Sequence, residues 1–142
     1  MGVERPKRLI LRAQLCDSKE ENSSSLLHTI NSGQRLFIQT FATPVDVAIA
    51  QSLFTHLPPS LIGLCLKKLQ PCLKPDGRFF ATFFEVEQER ENPSDPHDHG
   101  YFAYTRQQME AFGSDQGYQV DYIGDWGHPR NQVMVVYRHP DY

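Results

Sequence analysis

Val45-Asp46-Val47-Ala48-Ile49-Ala50 opens, and Arg78-Phe79-Phe80-Ala81-Thr82-Phe83-Phe84 nearly closes, the stretch that decides the fold: VDVAIAQSLFTHLPPSLIGLCLKKLQPCLKPDGRFFATFFE, residues 45 to 85. VDVAIA is a short run of β-branched and small apolar residues, the pattern of a strand covered on both faces. RFFATFF is a second such run, launched by the turn Lys74-Pro75-Asp76-Gly77. Between them Leu61, Ile62, Cys65, Leu66 and Leu69 recur at helical spacing and make one apolar stripe. Two buried strands joined by a crossover helix form a βαβ unit, and such units are parallel and right-handed.

Outward from this unit, length and composition narrow the choices. At 142 residues the chain reads as one domain, small for a complete doubly wound fold. A formal charge of −3 leaves no basic footprint for nucleic acid or an anionic membrane. No apolar run approaches the roughly 20 residues of a membrane helix, and the start lacks a signal-like core. Cys16, Cys65 and Cys72 are odd in number and form no CxxC pair, which reads as reduced thiols of a cytoplasmic protein. Cys65 belongs to the helix stripe, so a catalytic thiol is not expected.

In chain order, Leu9, Ile10 and Ala13 predict a helix that follows Gly2-Val3-Glu4 and runs to Gln14, with Pro6 in its first turn. Residues 17–33 are polar and Ser-rich, a loop with one helical turn at Leu26, Leu27 and Ile30. RLFIQT, residues 35–40, reads as a strand. Residues 85–100 form a charged, Pro-containing loop that carries His97-Asp98-His99; a metal site needs three or four convergent ligands, and a solvated loop without metal is expected. Thr105-Arg106-Gln107-Gln108 is a capping box that starts a helix with Met109 and Phe112 inward and an end near Gly117. Tyr118, Val120 and Tyr122 alternate as in a strand, a turn-rich loop follows at residues 124–131, and QVMVVYR is the last strand.

Asp46 at the first strand, the loop SLFTHL after it and the turn LKPDG into the second strand also resemble, in order and spacing, the second half of a class I S-adenosylmethionine-dependent methyltransferase. The resemblance covers roughly Val45 to Tyr137. It implies a Rossmann-like fold, S-adenosylmethionine as cofactor and a small-molecule acceptor. It places Gln51, Ser52 and Leu53 past the cofactor and turns His56 to the reaction pocket as a base or orienting donor; the other reading of His56 is a residue at a helix start bonded to nearby backbone. GVERPKRLI resembles the end of the family's second strand followed by its helix, which makes Glu4 the ribose ligand; the alternative is a first-turn glutamate favoured by the helix dipole. The loop beside the adenine would offer Thr40, with Gln39 and Phe41, in place of the acidic residue of many members. Asp46 reads as structural, and His128 and Arg130 either hold an anionic acceptor or shape a loop.

The family's opening strand and its Gly-rich turn, of the type E/DxGxGxG, have no counterpart in this sequence. That strand normally lies in the middle of the sheet, between the second and the fourth. The expectation is therefore an α/β protein: a Rossmann-like mixed sheet with helices on both faces, incomplete for want of the first strand and Gly-rich loop, with an antiparallel last strand. Residues 1–142 would be a single partial methyltransferase domain, either a fragment, or a sheet that closes up differently, or one completed by a second chain. Two functions stand: a methyltransferase acting on a small molecule, or a truncated non-catalytic relative serving as a binding or partner subunit. An unrelated nucleotide-binding domain is disfavoured, because there is no phosphate loop.

Overall fold

The computed structural model describes residues 6–14, 26–31, 35–36, 44–94 and 102–140. Its strands are β1 (Arg8–Gln14), β2 (Leu26–Asn31), β3 (Arg35–Leu36), β4 (Val45–Ala50), β5 (Leu73–Glu85), β6 (Ala103–Tyr104), β7 (Gln119–Asp125) and β8 (Val133–Arg138). Two helices, α1 (Pro59–Leu69) and α2 (Arg106–Asp115), join them. No helix among the described residues is long and apolar enough to cross a membrane.

The central βαβ unit is as the sequence reads. β4 and β5 are parallel, and α1 between them buries Ile62, Cys65, Leu66 and Leu69. Pro59 at the first helical position gives up no hydrogen bond, and Lys67 and Lys68 in the last turn suit the negative end of the helix dipole. LKPDG is a bulge in the ladder: Val45 pairs with Leu73, but Val47 pairs with Arg78. The turn closes so tightly that a β-carbon on Gly77 would lie 2.9 Å from the Lys74 carbonyl oxygen. Any larger residue must open it.

The amino-terminal segment departs from the helical expectation. Arg8–Gln14 is a strand, not a helix, and it pairs in parallel with β2 on one side and β4 on the other. Leu9, Ile10 and Ala13 satisfy a helical spacing, but Leu9-Ile10-Leu11 is equally a continuous apolar run suited to a central strand. The unpaired edge of β4 decides between them, since buried backbone donors and acceptors must be matched. Leu26–Asn31 is likewise a strand and not a helical turn. Of RLFIQT, the described part is Arg35–Leu36, antiparallel to β2.

The strand order is β3-β2-β1-β4-β5-β8-β7, with β6 paired to the end of β5. β8 runs antiparallel between β5 and β7, as the Rossmann-like mixed sheet requires of its last strand. The central place expected to be vacant, between β2 and β4, is filled by β1. The two described helices lie together: α1 and α2 pack against each other, and α2 also against β7.

Three buried tyrosines fasten this layer. Tyr104 donates to the Leu57 carbonyl at 2.6 Å, Tyr118 to that of Leu66 at 2.5 Å, and Tyr137 to that of Met109 at 2.9 Å. Burial raises the pKa of all three, so each stays a protonated donor. The capping box of α2 forms as read, with Gln108 N–H donating to Thr105 Oγ1 and Thr105 N–H to Gln108 Oε1. In the last turn of α2, a β-carbon on Gly113 would lie 2.5 Å from the Tyr137 ring and from Val120. Gly113→Ala is therefore expected to lower stability by about 1–3 kcal/mol, as overpacking does, although alanine favours a helix by about 1 kcal/mol. Urea denaturation followed by circular dichroism measures this.

Candidate functional site

The direction of chain travel across the sheet reverses between β1 and β4. β1 leads to β2 on one side, while β4 leads to β5 on the other. In open α/β sheets the crevice beyond the carboxyl ends of strands at such a reversal is where ligands bind. Gln51, Ser52 and Leu53 follow β4 directly and so begin at this edge. Ser52 has φ 58, in the left-handed region. For a non-glycine residue that costs about 1–3 kcal/mol and persists only where the surroundings enforce it. Leu53 and Phe54 are fully buried and anchor the turn in the core.

The enforcing contacts come from three segments. Ser52 N–H donates to Thr82 Oγ1 at 2.8 Å, and the Thr82 hydroxyl donates to Gln132 Oε1 at 2.8 Å. Gln132 Nε2 returns to Ser52 Oγ at 3.0 Å. Thr55 Oγ1 donates to the Ser52 carbonyl at 2.9 Å. Thr82 and Gln132 are both buried. The turn closes in a short 3-10 helix, Phe54–His56, where His56 N–H donates to the Leu53 carbonyl at 3.0 Å. His56 is half-buried.

Farther along the same edge, Tyr122 donates to Glu85 Oε1 at 2.6 Å, and the Arg106 guanidinium lies 4.3 Å from the centre of the Tyr122 ring. The hydrogen bond to Glu85 raises the Tyr122 pKa. Beside them a cleft of about 350 Å³ is lined by Glu85, Val86, Glu87, Arg106 and Gln107. A second cleft, about 500 Å³, lies between α1 and α2, lined by Pro59, Ser60, Gly63 and Lys67 on one side and Phe112 and Gln116 on the other. In the loop before β8, His128 Nδ1 accepts from the Arg130 N–H at 3.1 Å and so helps to shape that loop.

Of the residues named from sequence, Gln51, Ser52, Leu53 and His56 come together in the turn after β4. Glu4, Thr40, Gln39, Phe41, Cys16 and His97-Asp98-His99 lie outside the described residues, and Glu4 precedes a strand, not a helix. Asp46 sits at the opposite edge, where Lys7 N–H donates to it at 2.8 Å and Lys74 Nζ approaches to 3.0 Å. Among the described residues no three histidine, cysteine, aspartate or glutamate side chains gather as a metal site would require. Sequence reading missed Thr82 and Gln132. The signal was present: each is a polar residue within or next to an apolar strand run, and a buried polar side chain needs a partner.

No protein-family model matches the sequence, and no curated protein matches it. Solved structures do. DesVI from Streptomyces venezuelae superposes with a TM-score of 0.60 at 13% identity, over 94% of this chain and 84% of that one. The S-adenosylmethionine-dependent methyltransferase SibL, in its apo form, gives 0.58 at 15% identity, over 79% and 36%. The mitomycin 7-O-methyltransferase MmcR gives 0.53 at 14%, over 70% and 31%. The match thus spans about a third of the length of SibL and MmcR. At these identities the likeness defines the fold: this chain has the class I S-adenosylmethionine-dependent methyltransferase fold.

Two outcomes follow from the geometry. Burial pushes the Cys65 thiol up to about 12, so alkylation mapped by peptide mass spectrometry should label Cys65 only after unfolding. The Lys7 N–H and the Lys74 ammonium hold Asp46 below its ordinary value of 3.8. Its contribution is then complete above that value and lost as pH falls through the folded pKa. Asp46→Asn should destabilise the chain at neutral pH, and the difference from the unaltered chain should vanish in acid, as denaturant titrations at several pH values would record.

Proposed function

We propose that this chain binds S-adenosylmethionine across the β1/β4 crevice and acts as a methyltransferase on a small molecule. The observation that carries the reading is the turn Gln51–Leu53: it stands at the reversal point of the sheet and is held in a conformation the backbone would not choose unaided. Such preorganisation suits a site where proximity and orientation supply most of the rate.

The cofactor brings its own activated methyl group on a sulfonium centre. The chain's part is to position. Gln51 and Ser52 flank the cofactor, Leu53 backs the turn with apolar bulk, and His56 orients the acceptor or takes its proton. Glu4 and Thr40 remain the proposed ribose and adenine ligands, on resemblance alone. The β4 side of the crevice fits such a group. The β1 side supports a second reading, because residues 15–25 after β1 contain no glycine to admit close approach of a cofactor. That reading is a non-catalytic binding or partner subunit with a methyltransferase-like fold.

Calorimetric titration with S-adenosylhomocysteine separates the two. The enzyme reading expects saturable one-to-one binding that Ser52→Val weakens by about tenfold or more, since a β-branched residue resists positive φ. A folded chain that takes up none of the ligand supports the partner reading instead.

A further inference from the structure

We infer that Gln132 is a positioning residue: through Thr82 it holds Ser52 in its left-handed backbone and so sets the path of Gln51–Leu53 across the crevice. The inference rests on the cofactor reading of that crevice, but the geometry behind it is separate. The three residues form a closed ring of donors. Ser52 N–H gives to Thr82, Thr82 gives to Gln132, and Gln132 gives back to Ser52 Oγ. A hydroxyl has one proton. Because Gln132 Oε1 takes it, Thr82 turns its lone pairs to the Ser52 N–H. Remove Gln132, and the Thr82 rotor is free to turn that proton elsewhere.

Burial keeps Gln132 away from a ligand in the crevice. It is 1% exposed, and both ends of its amide are committed within the ring. It therefore acts on the crevice only through Ser52. Ring closure also makes the contacts mutually reinforcing, since each bond polarises the next. The ring joins the turn after β4, strand β5 and the residue just before β8, so it ties the turn to the loop that carries Trp126 and His128.

The test follows the Ser52 amide by hydrogen exchange in the ligand-free chain and S-adenosylhomocysteine affinity by calorimetry. Gln132→Leu and Thr82→Val should each speed Ser52 exchange and weaken binding by about tenfold, the worth of one buried hydrogen bond. Interior β4 amides should keep their protection, and Thr82→Ser, which retains the hydroxyl, should behave as the unaltered chain. With Ser52→Gly as the reference, adding Gln132→Leu should weaken binding little further, because glycine accepts positive φ without the ring. Should Gln132→Leu fail to fold, Thr82→Val carries the same comparison. Unchanged Ser52 exchange, or a rise shared equally by all of β4, would overturn the inference, as would a Gln132→Leu effect on affinity that persists undiminished in the Ser52→Gly background. If the unaltered chain binds no S-adenosylhomocysteine, the cofactor reading falls, while the exchange rates still decide whether Gln132 sets the turn.

Discussion

Everything in this molecule hangs on matching both edges of β4. A buried parallel strand carries a full row of donors and acceptors on each side, and none can be left open. β5 answers one side through the α1 crossover, and β1 answers the other. Once β1 is in place the sheet extends through β2 and β3, and the reversal point falls between β1 and β4. The position of the crevice is thus a by-product of how a backbone ladder is completed.

The two edges of the sheet are built for different work. At the amino edge Asp46 draws in the Lys7 backbone and the Lys74 side chain, joining the starts of β1, β4 and β5. It is a clamp made of charge, placed where water reaches it. At the carboxyl edge the joining is done by neutral groups, Ser52, Thr82 and Gln132, largely out of water. Neutral partners avoid the cost of burying a charge while keeping direction, which is what a turn with positive φ needs. Among the described residues, no buried side-chain nitrogen or oxygen lacks a partner, so the polar groups beneath the site are spent on structure.

What could be read from sequence follows from how local each signal is. VDVAIA, the α1 stripe and RFFATFF carry their periodicity within a few residues, and the capping box of α2 is a four-residue device; all form as read. Ser52 and its neighbours were visible through a motif, as was the LKPDG turn. β1 was not, because Leu9, Ile10 and Ala13 serve either period and only the waiting edge of β4 chooses. β2 failed for the same reason: LLHTIN is too short to declare itself without β1 beside it. Thr82 and Gln132 were legible only as polar residues set among apolar ones, since a ring that closes across distant segments leaves no spacing to recognise. Gly113 escaped too, since its need for a hydrogen in place of a side chain lies in the Tyr137 ring.

The placement of β1 also has a kinetic side. Its neighbour β4 lies well downstream in sequence, across a long stretch that must be gathered before any parallel pairing can repay the lost freedom. β7 and β8, by contrast, are joined by a short loop and meet in antiparallel register. The carboxyl-terminal half can therefore assemble first, leaving an apolar β4 edge uncovered until the amino-terminal strand arrives. During that interval the chain presents a template that another copy of itself can pair with. Refolding yield should then depend on protein concentration far more steeply than the stability of the finished sheet does.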